Sequence, residues 1–132
     1  VNAFVVGAGR IEALPDKSLS DRQCQDIKRY VEQHLADPLL SIGQIAEVHR
    51  TSKRYLHWLF RSEPLTLNEF IIFRRLEHCR VDLLDPDRAH LHVSQIAYAW
   101  GFANVSHFSK RYRALFNESP TQTRQNVRAR SA

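Results

Sequence analysis

At 132 residues, 43% of them hydrophobic and 25% charged, the chain has the composition of a globular protein with room for one domain or two very small ones. It has no run near the roughly 18 consecutive apolar residues that a membrane-spanning helix needs. Val1-Asn2-Ala3-Phe4-Val5-Val6 lacks the basic leader and long apolar run of a secretory signal. The net charge of +5 lies in two blocks: residues 41–63 hold four Lys/Arg against two Asp/Glu, and residues 104–130 hold six against one. Blocks of this kind attract a polyanion, with two solvated basic helices as the plain alternative.

Residues 1–17 begin with a short β-like run and turn polar around Gly7, Gly9, Pro15 and Asp16. They are expected to be a linker and the tail of a preceding domain, and the lack of any Met, even at position 1, agrees with a piece of a longer protein. Gly7-Ala8-Gly9 suggests a phosphate loop, but the third glycine and the βαβ setting are missing, which argues against a nucleotide site. From Ser18 the pattern is helical, and residues 18–132 read as one all-α unit. Ser20-x-x-Gln23 has the spacing of a capping box opening a helix with Ile27, Tyr30, Val31 and Leu35 on its apolar side, ended by Asp37-Pro38. Ser41-x-x-Gln44 opens a second helix, and Ser52 caps a third bearing Tyr55, Leu56, Leu59 and Phe60. Thr66-x-x-Glu69 opens the longest, at about 67–84, with Phe70, Phe73, Leu76, Cys79 and Leu83 as its apolar recurrence and Asp85-Pro86-Asp87 as its stop. Shorter helices follow at about 93–100, 104–116 and 120–128, the last opened by Ser119-Pro120.

An internal repeat organises these elements. Ser41-Ile42-Gly43-Gln44-Ile45-Ala46 matches His92-Val93-Ser94-Gln95-Ile96-Ala97 at an offset of 51, and Leu56 and Phe60 match Phe108 and Tyr112 at an offset of 52. Each copy reads as a short helix with a buried Ile-Ala, a tight turn and a longer helix with apolar residues four apart. The small Ala46 and Ala97 let two helices cross closely, and Gly101 supplies the positive φ of the turn. The outer face of the second helix is left free to enter a major groove about 12 Å wide. The reading is two helix-turn-helix units, at about 41–61 and 92–113, joined by the long helix, about seven helices in all.

Over residues 20–128 the chain resembles the DNA-binding domain of the AraC/XylS family of transcription regulators. The resemblance is carried by Ile96-Ala97-x-x-x-Gly101-Phe102-x-x-x-Ser106-x-Phe108-Ser109-Lys110-x-Tyr112 and Phe116-x-x-Ser119-Pro120-x-x-x-Arg124, with Ile45-Ala46, Ser52-x-x-x-Leu56-x-x-x-Phe60 and Arg75-Leu76-x-x-Cys79 in the first half. Arg50 and Pro64 stand where the family commonly has glycine, as does Asn117; Tyr112 replaces the usual Phe and Thr123 an aromatic residue. The resemblance implies a bilobed domain whose two recognition helices enter successive major-groove segments, about 34 Å apart, on one face of double-stranded DNA. It also implies a bacterial transcription activator that contacts RNA polymerase and carries an effector or dimerisation domain before residue 1. The chain by itself is expected to be monomeric, with a dimeric full-length protein allowed.

Matching the motif residue by residue makes Arg54, His57 and Trp58 base-reading candidates in the first unit, and Val105, Ser106, Ser109 and Lys110 in the second. Arg54 suits a bidentate pair with guanine O6 and N7, and Trp58 a thymine methyl or a sugar. Ser41, Lys53, Arg61, Asn104, His107, Arg111, Arg113 and Arg124 are the candidates for phosphate, with Arg128 in the same basic tail. Val105 and Ser106 are small and nearly neutral, so the second unit is expected to sense backbone and DNA shape more than base edges. No Ser/His/Asp or Cys/His constellation is visible, so an enzyme is not expected. His90-x-His92 has no further ligand at metal spacing, and neither a metal nor a cofactor is expected. Cys24 and Cys79 form no CxxC pair and suit a reducing cytoplasm.

Overall fold

The computed structural model describes residues 13–131, with side chains from Leu19 to Ala129. Among these residues lie seven α-helices and no strand: α1 (Ala13–His34), α2 (Ile42–Val48), α3 (Lys53–Leu59), α4 (Leu67–Leu84), α5 (Val93–Ala99), α6 (Val105–Phe116) and α7 (Pro120–Ser131), with a 3₁₀ turn at Pro86–Arg88. The all-α reading with a long central helix holds, but the longest described helix is α1, of 22 residues, and not α4, of 18. None of the described helices is long and apolar enough to cross a membrane. The β-like run and the Gly7-Ala8-Gly9 segment lie outside the described residues.

Most helix starts follow from side chains that satisfy the otherwise unpaired first amides. Ser41 Oγ accepts from the Gln44 N–H at 3.1 Å and Ser52 Oγ from the Tyr55 N–H at 3.0 Å. Thr66 and Glu69 close a full capping box, as do Ser119 and Gln122. Ser20 does not cap: α1 already runs from Ala13, so Ser20 sits inside the helix. Ala13, Leu14 and Lys17 favour helix and Pro15 falls in its first turn, where a missing N–H is tolerated, so the helix starts further back than the cap-like spacing suggested.

Two apolar cores hold the chain, and α4 belongs to both. Its first half gives Leu67 and Ile71 to the core built by α1, α2 and α3. Its second half gives Leu76, Cys79 and Leu83 to the core of α5 and α6. This corrects the register read from the sequence: Phe70 and Phe73 are only half-buried, because Leu67 and Ile71 take the inner positions. The repeat also reaches further than its motif. Cys24, Ile27 and Val31 of α1 return 52 positions later as Leu76, Cys79 and Leu83 of α4, each set packed on the Ile-Ala of its own unit. Each lobe is therefore a three-helix unit, and α7 packs along α4 and α6 to close the second.

A buried arginine joins the lobes. Arg75 on α4 donates from Nε to the Leu35 carbonyl at 2.9 Å and from Nη2 to the Asp37 carbonyl at 2.8 Å. It thereby caps the open carbonyl end of α1 with charge-assisted bonds. The second turn lies against the same spot: a β-carbon on Gly101 (φ 94) would stand 2.5 Å from the Leu35 oxygen and 2.7 Å from Arg75 Nη2. Glycine is required here for both conformation and space.

Candidate nucleic-acid interface

The first unit turns through Arg50, whose φ of 54 lies in the left-handed region, and the Thr51 N–H closes the turn on the Ala46 carbonyl at 2.9 Å. The second unit repeats this with Gly101 and the Phe102 N–H on the Ala97 carbonyl at 3.1 Å. The turns match although one is built on arginine and the other on glycine. Each lays the next helix across its core, with Leu56, Leu59 and Phe60 inward in the first unit and Phe108 and Tyr112 in the second.

On α3 and the residues just after it, Arg54, His57, Trp58 and Arg61 fall at spacings of three and four and are all exposed, so they share one face. Trp58 is 44% exposed, which settles it on the surface. It is not a free ring. Its indole stacks near Tyr55 with centroids 5.5 Å apart, and the Arg61 guanidinium carbon lies 3.6 Å from the ring centroid. Arg61 Nη1 also donates to the Trp58 carbonyl at 2.8 Å. Trp58 and Arg61 thus form one flat cationic tile, whereas the sequence pattern assigned Trp58 to base edges and Arg61 to phosphate. Lys53 leans over Gly43, whose missing side chain leaves room for the lysine stem. Ser41 is exposed at the start of α2 with its hydroxyl engaged as a cap.

On α6, Ser106, Lys110 and Arg113 are exposed at spacings of four and three and form the outward line, with His107 exposed on its flank. Val105 and Ser109 are half-buried, nearer the core than the other two base-reading candidates. Asn104 Oδ1 caps α6 by accepting from the His107 N–H at 2.9 Å, a role the sequence reading did not assign. Arg111 lies in the groove between α6 and α4, beside Leu65, Glu69 and Phe73. Arg124 donates to the carbonyls of Leu91 and Arg88, fastening α7 to the segment before α5. Burial lowers its pKa, with the nearby Arg128 charge second. The structure therefore brings together four groups in the first unit and three in the second, and sets Arg111 and Arg124 apart from them.

No described group of three His, Cys, Asp or Glu could hold a metal ion. Burial pushes the Cys79 thiol up to about 12 and raises that of Cys24, so both stay protonated at neutral pH.

A family model described as a helix-turn-helix domain matches residues 45–126. The chain is 37% identical over 94 residues to the transcriptional activator NphR of a Rhodococcus species, covering 71% of this chain and 27% of that protein. It is 34% identical over 98 residues to the transcriptional activator RhrA of Rhizobium meliloti, covering 74% of this chain and 31% of that protein. A solved transcriptional regulator with an AraC-type DNA-binding domain, from Chromobacterium violaceum, superposes with a TM-score of 0.72 at 27% identity, covering 83% of this chain and 96% of the other. The chain belongs to the AraC/XylS family. It spans about a third or less of the length of the curated relatives it matches.

As an AraC/XylS domain, the chain departs from the family pattern in ways its own packing explains. Tyr112 and Thr123, two replacements of aromatic residues, are partners. The Tyr112 hydroxyl lies 2.8 Å from Thr123 Oγ1, which in turn donates to the Glu118 carboxylate. The loss of ring area at position 123 is offset by a buried hydrogen-bond chain. Burial raises the Tyr112 pKa, so its hydroxyl stays protonated as a donor. Asn117 ends α6 at φ 60, a left-handed position that asparagine tolerates.

Proposed function

We propose that the chain is the DNA-reading part of a cytoplasmic transcription activator that inserts α3 and α6 into successive major-groove segments of an asymmetric promoter site. The observation that carries this is the pairing of two non-equivalent reading faces in one chain: large side chains on α3, and a small, basic line on α6. A lone chain of this kind fits a site without palindromic symmetry, because its two halves present different chemistry. Arg54, His57 and Trp58 take the base edges in the first lobe, and Ser106 and Lys110, with Val105 and Ser109 beside them, in the second. Ser41, Lys53, Arg61, Asn104, His107 and Arg113 take the phosphates. Arg124 acts as a brace within the second lobe, and the exposed Arg111 adds to the positive charge beside α6.

The relatives named as activators support activation, which in this reading proceeds through contact with RNA polymerase. Two buried, protonated thiols and a basic surface support a binding role in a reducing compartment over catalysis. Titration of duplex DNA at 50 and 200 mM salt tests the reading. Six to ten phosphate contacts would lower affinity by roughly 10³- to 10⁵-fold between those two conditions. A chain that binds no duplex at 50 mM salt, or binds it equally at both, is not a DNA reader.

A further inference from the structure

Trp100 is packed against both hydrophobic cores, which places it at the seam between the lobes. Its equivalent in the first repeat, His49, makes an edge contact with Tyr30 at 5.1 Å inside its own lobe and bonds the Ile45 carbonyl of its own helix. The same place in the repeat thus serves one lobe in the first copy and joins two in the second.

Around Trp100 the seam is a chain of directional contacts. Glu32 on α1 accepts from Arg74 Nε at 2.8 Å and Arg74 Nη2 at 2.9 Å, and lies 2.8 Å from His78 Nε2. The His78 ring stacks on the Trp100 indole with centroids 4.3 Å apart and planes at 18°. The indole N–H donates to Asp82 Oδ2 at 2.8 Å, and Arg88 Nε stands 3.5 Å from the other oxygen of Asp82. Arg74, His78 and Asp82 recur every four residues on α4, so one helix face carries the chain of contacts from α1 to the turn of the second unit. The side chains of Arg74, His78 and Glu32 remain 30–35% exposed. Ion pairs this wet add little to stability, whereas a bidentate fork and a parallel ring stack define an orientation.

We propose that Trp100, held by His78 and Glu32, is a positioning element that fixes the distance and phase between the two reading helices, and so makes the chain selective for the spacing between its two half-sites. The proposal rests on the DNA reading given above. Inserting one base pair moves a half-site by about 3.4 Å and turns it by about 35°, as follows from roughly 10.5 base pairs per turn. A lobe fixed at this seam cannot follow that movement, while one released from it can.

The test starts from a duplex selected from random DNA by this chain, remade with one base pair added or removed between the half-sites. Dissociation constants are measured at one salt concentration for the wild type, Glu32→Gln, Trp100→Ala and Trp100→Phe. The wild type is expected to lose about tenfold or more on either altered spacing, comparable to a mismatched base pair. Glu32→Gln and Trp100→Ala should weaken binding to the selected site about threefold, yet respond to spacing by less than about threefold. Trp100→Phe, which keeps a ring on His78, should restore most of the selectivity. Glu32→Gln decides the matter if Trp100→Ala does not fold. A folded variant that keeps the wild-type spacing penalty, or loses affinity equally at every spacing, overturns the proposal. A wild type that binds its selected site but is indifferent to spacing overturns it alone; a wild type that binds no DNA overturns the function proposed above as well.

Discussion

Arg50 holds its backbone at φ 54, where a β-carbon costs about 1–2 kcal/mol. Part of that strain would be relieved by glycine and part replaced by the entropy of a looser unfolded chain. Arg50→Gly is therefore expected to stabilise by roughly 0.5 kcal/mol, read as a small rise in melting temperature. The equivalent position in the other turn runs the opposite way. Gly101→Ala would place a methyl group 2.5 Å from the Leu35 carbonyl, and a large drop in melting temperature is expected. Under the proposed function, residues on the two faces separate by what they would touch. Arg54→Ala should relax preference at one base pair, costing about 1–3 kcal/mol on the cognate site, as scored by binding to a panel of single-base variants. Arg113→Ala should weaken every sequence alike and lower the salt slope by about one. A sequence-selective loss at Arg113 would move it from phosphate to base.

At the scale of elements, Tyr112 and Thr123 couple α6 to α7. Tyr112→Phe and Thr123→Val should each cost about 1 kcal/mol or more, and the double variant less than the two together, since each single change leaves a buried partner unpaired. Strict additivity in urea melts would mean the hydroxyls do not depend on each other. The elements themselves were legible because caps are local. Ser41, Ser52, Thr66 and Ser119 announce their helices through side chains that reach only three residues ahead. Ser20 misled for the same reason: its spacing is that of a cap, but nothing local says that a helix is already under way. Which apolar residues of α4 face inward was beyond local reading, because Leu67 and Phe70 are both apolar and only the neighbouring α1 and α3 choose between them. On the candidate site the repeat and the motif located the two faces, whereas the tethering of Arg124 to the Leu91 and Arg88 carbonyls depends on where other elements lie.

For the molecule as a whole, the contacts between lobes join residues 38 to 46 positions apart, with no motif to mark them. They give the fold an acid-sensitive component. Hydrogen bonds from Arg74, above all, lower the Glu32 carboxyl to about 2. A depressed folded-state pKa contributes stability that is present above the unfolded value of about 4.3 and is lost as pH falls toward 2. With the carboxylate about a third exposed, screening reduces that contribution to roughly 1 kcal/mol. Thermal melts of wild type and Glu32→Gln should therefore differ at pH 6 and converge near pH 2; a gap that persists at pH 2 would assign the effect to shape, not charge.

Because α4 supplies Leu67 and Ile71 to one core and Leu76, Cys79 and Leu83 to the other, neither lobe can lose its packing without exposing apolar surface of the same helix. The two binding units are consequently one cooperative unit in unfolding. Amide hydrogen exchange at Ile45 and at Ile96 should report the same opening free energy, and a cavity cut into the first core by Leu56→Ala should lower protection of both by the same amount, about 2–5 kcal/mol.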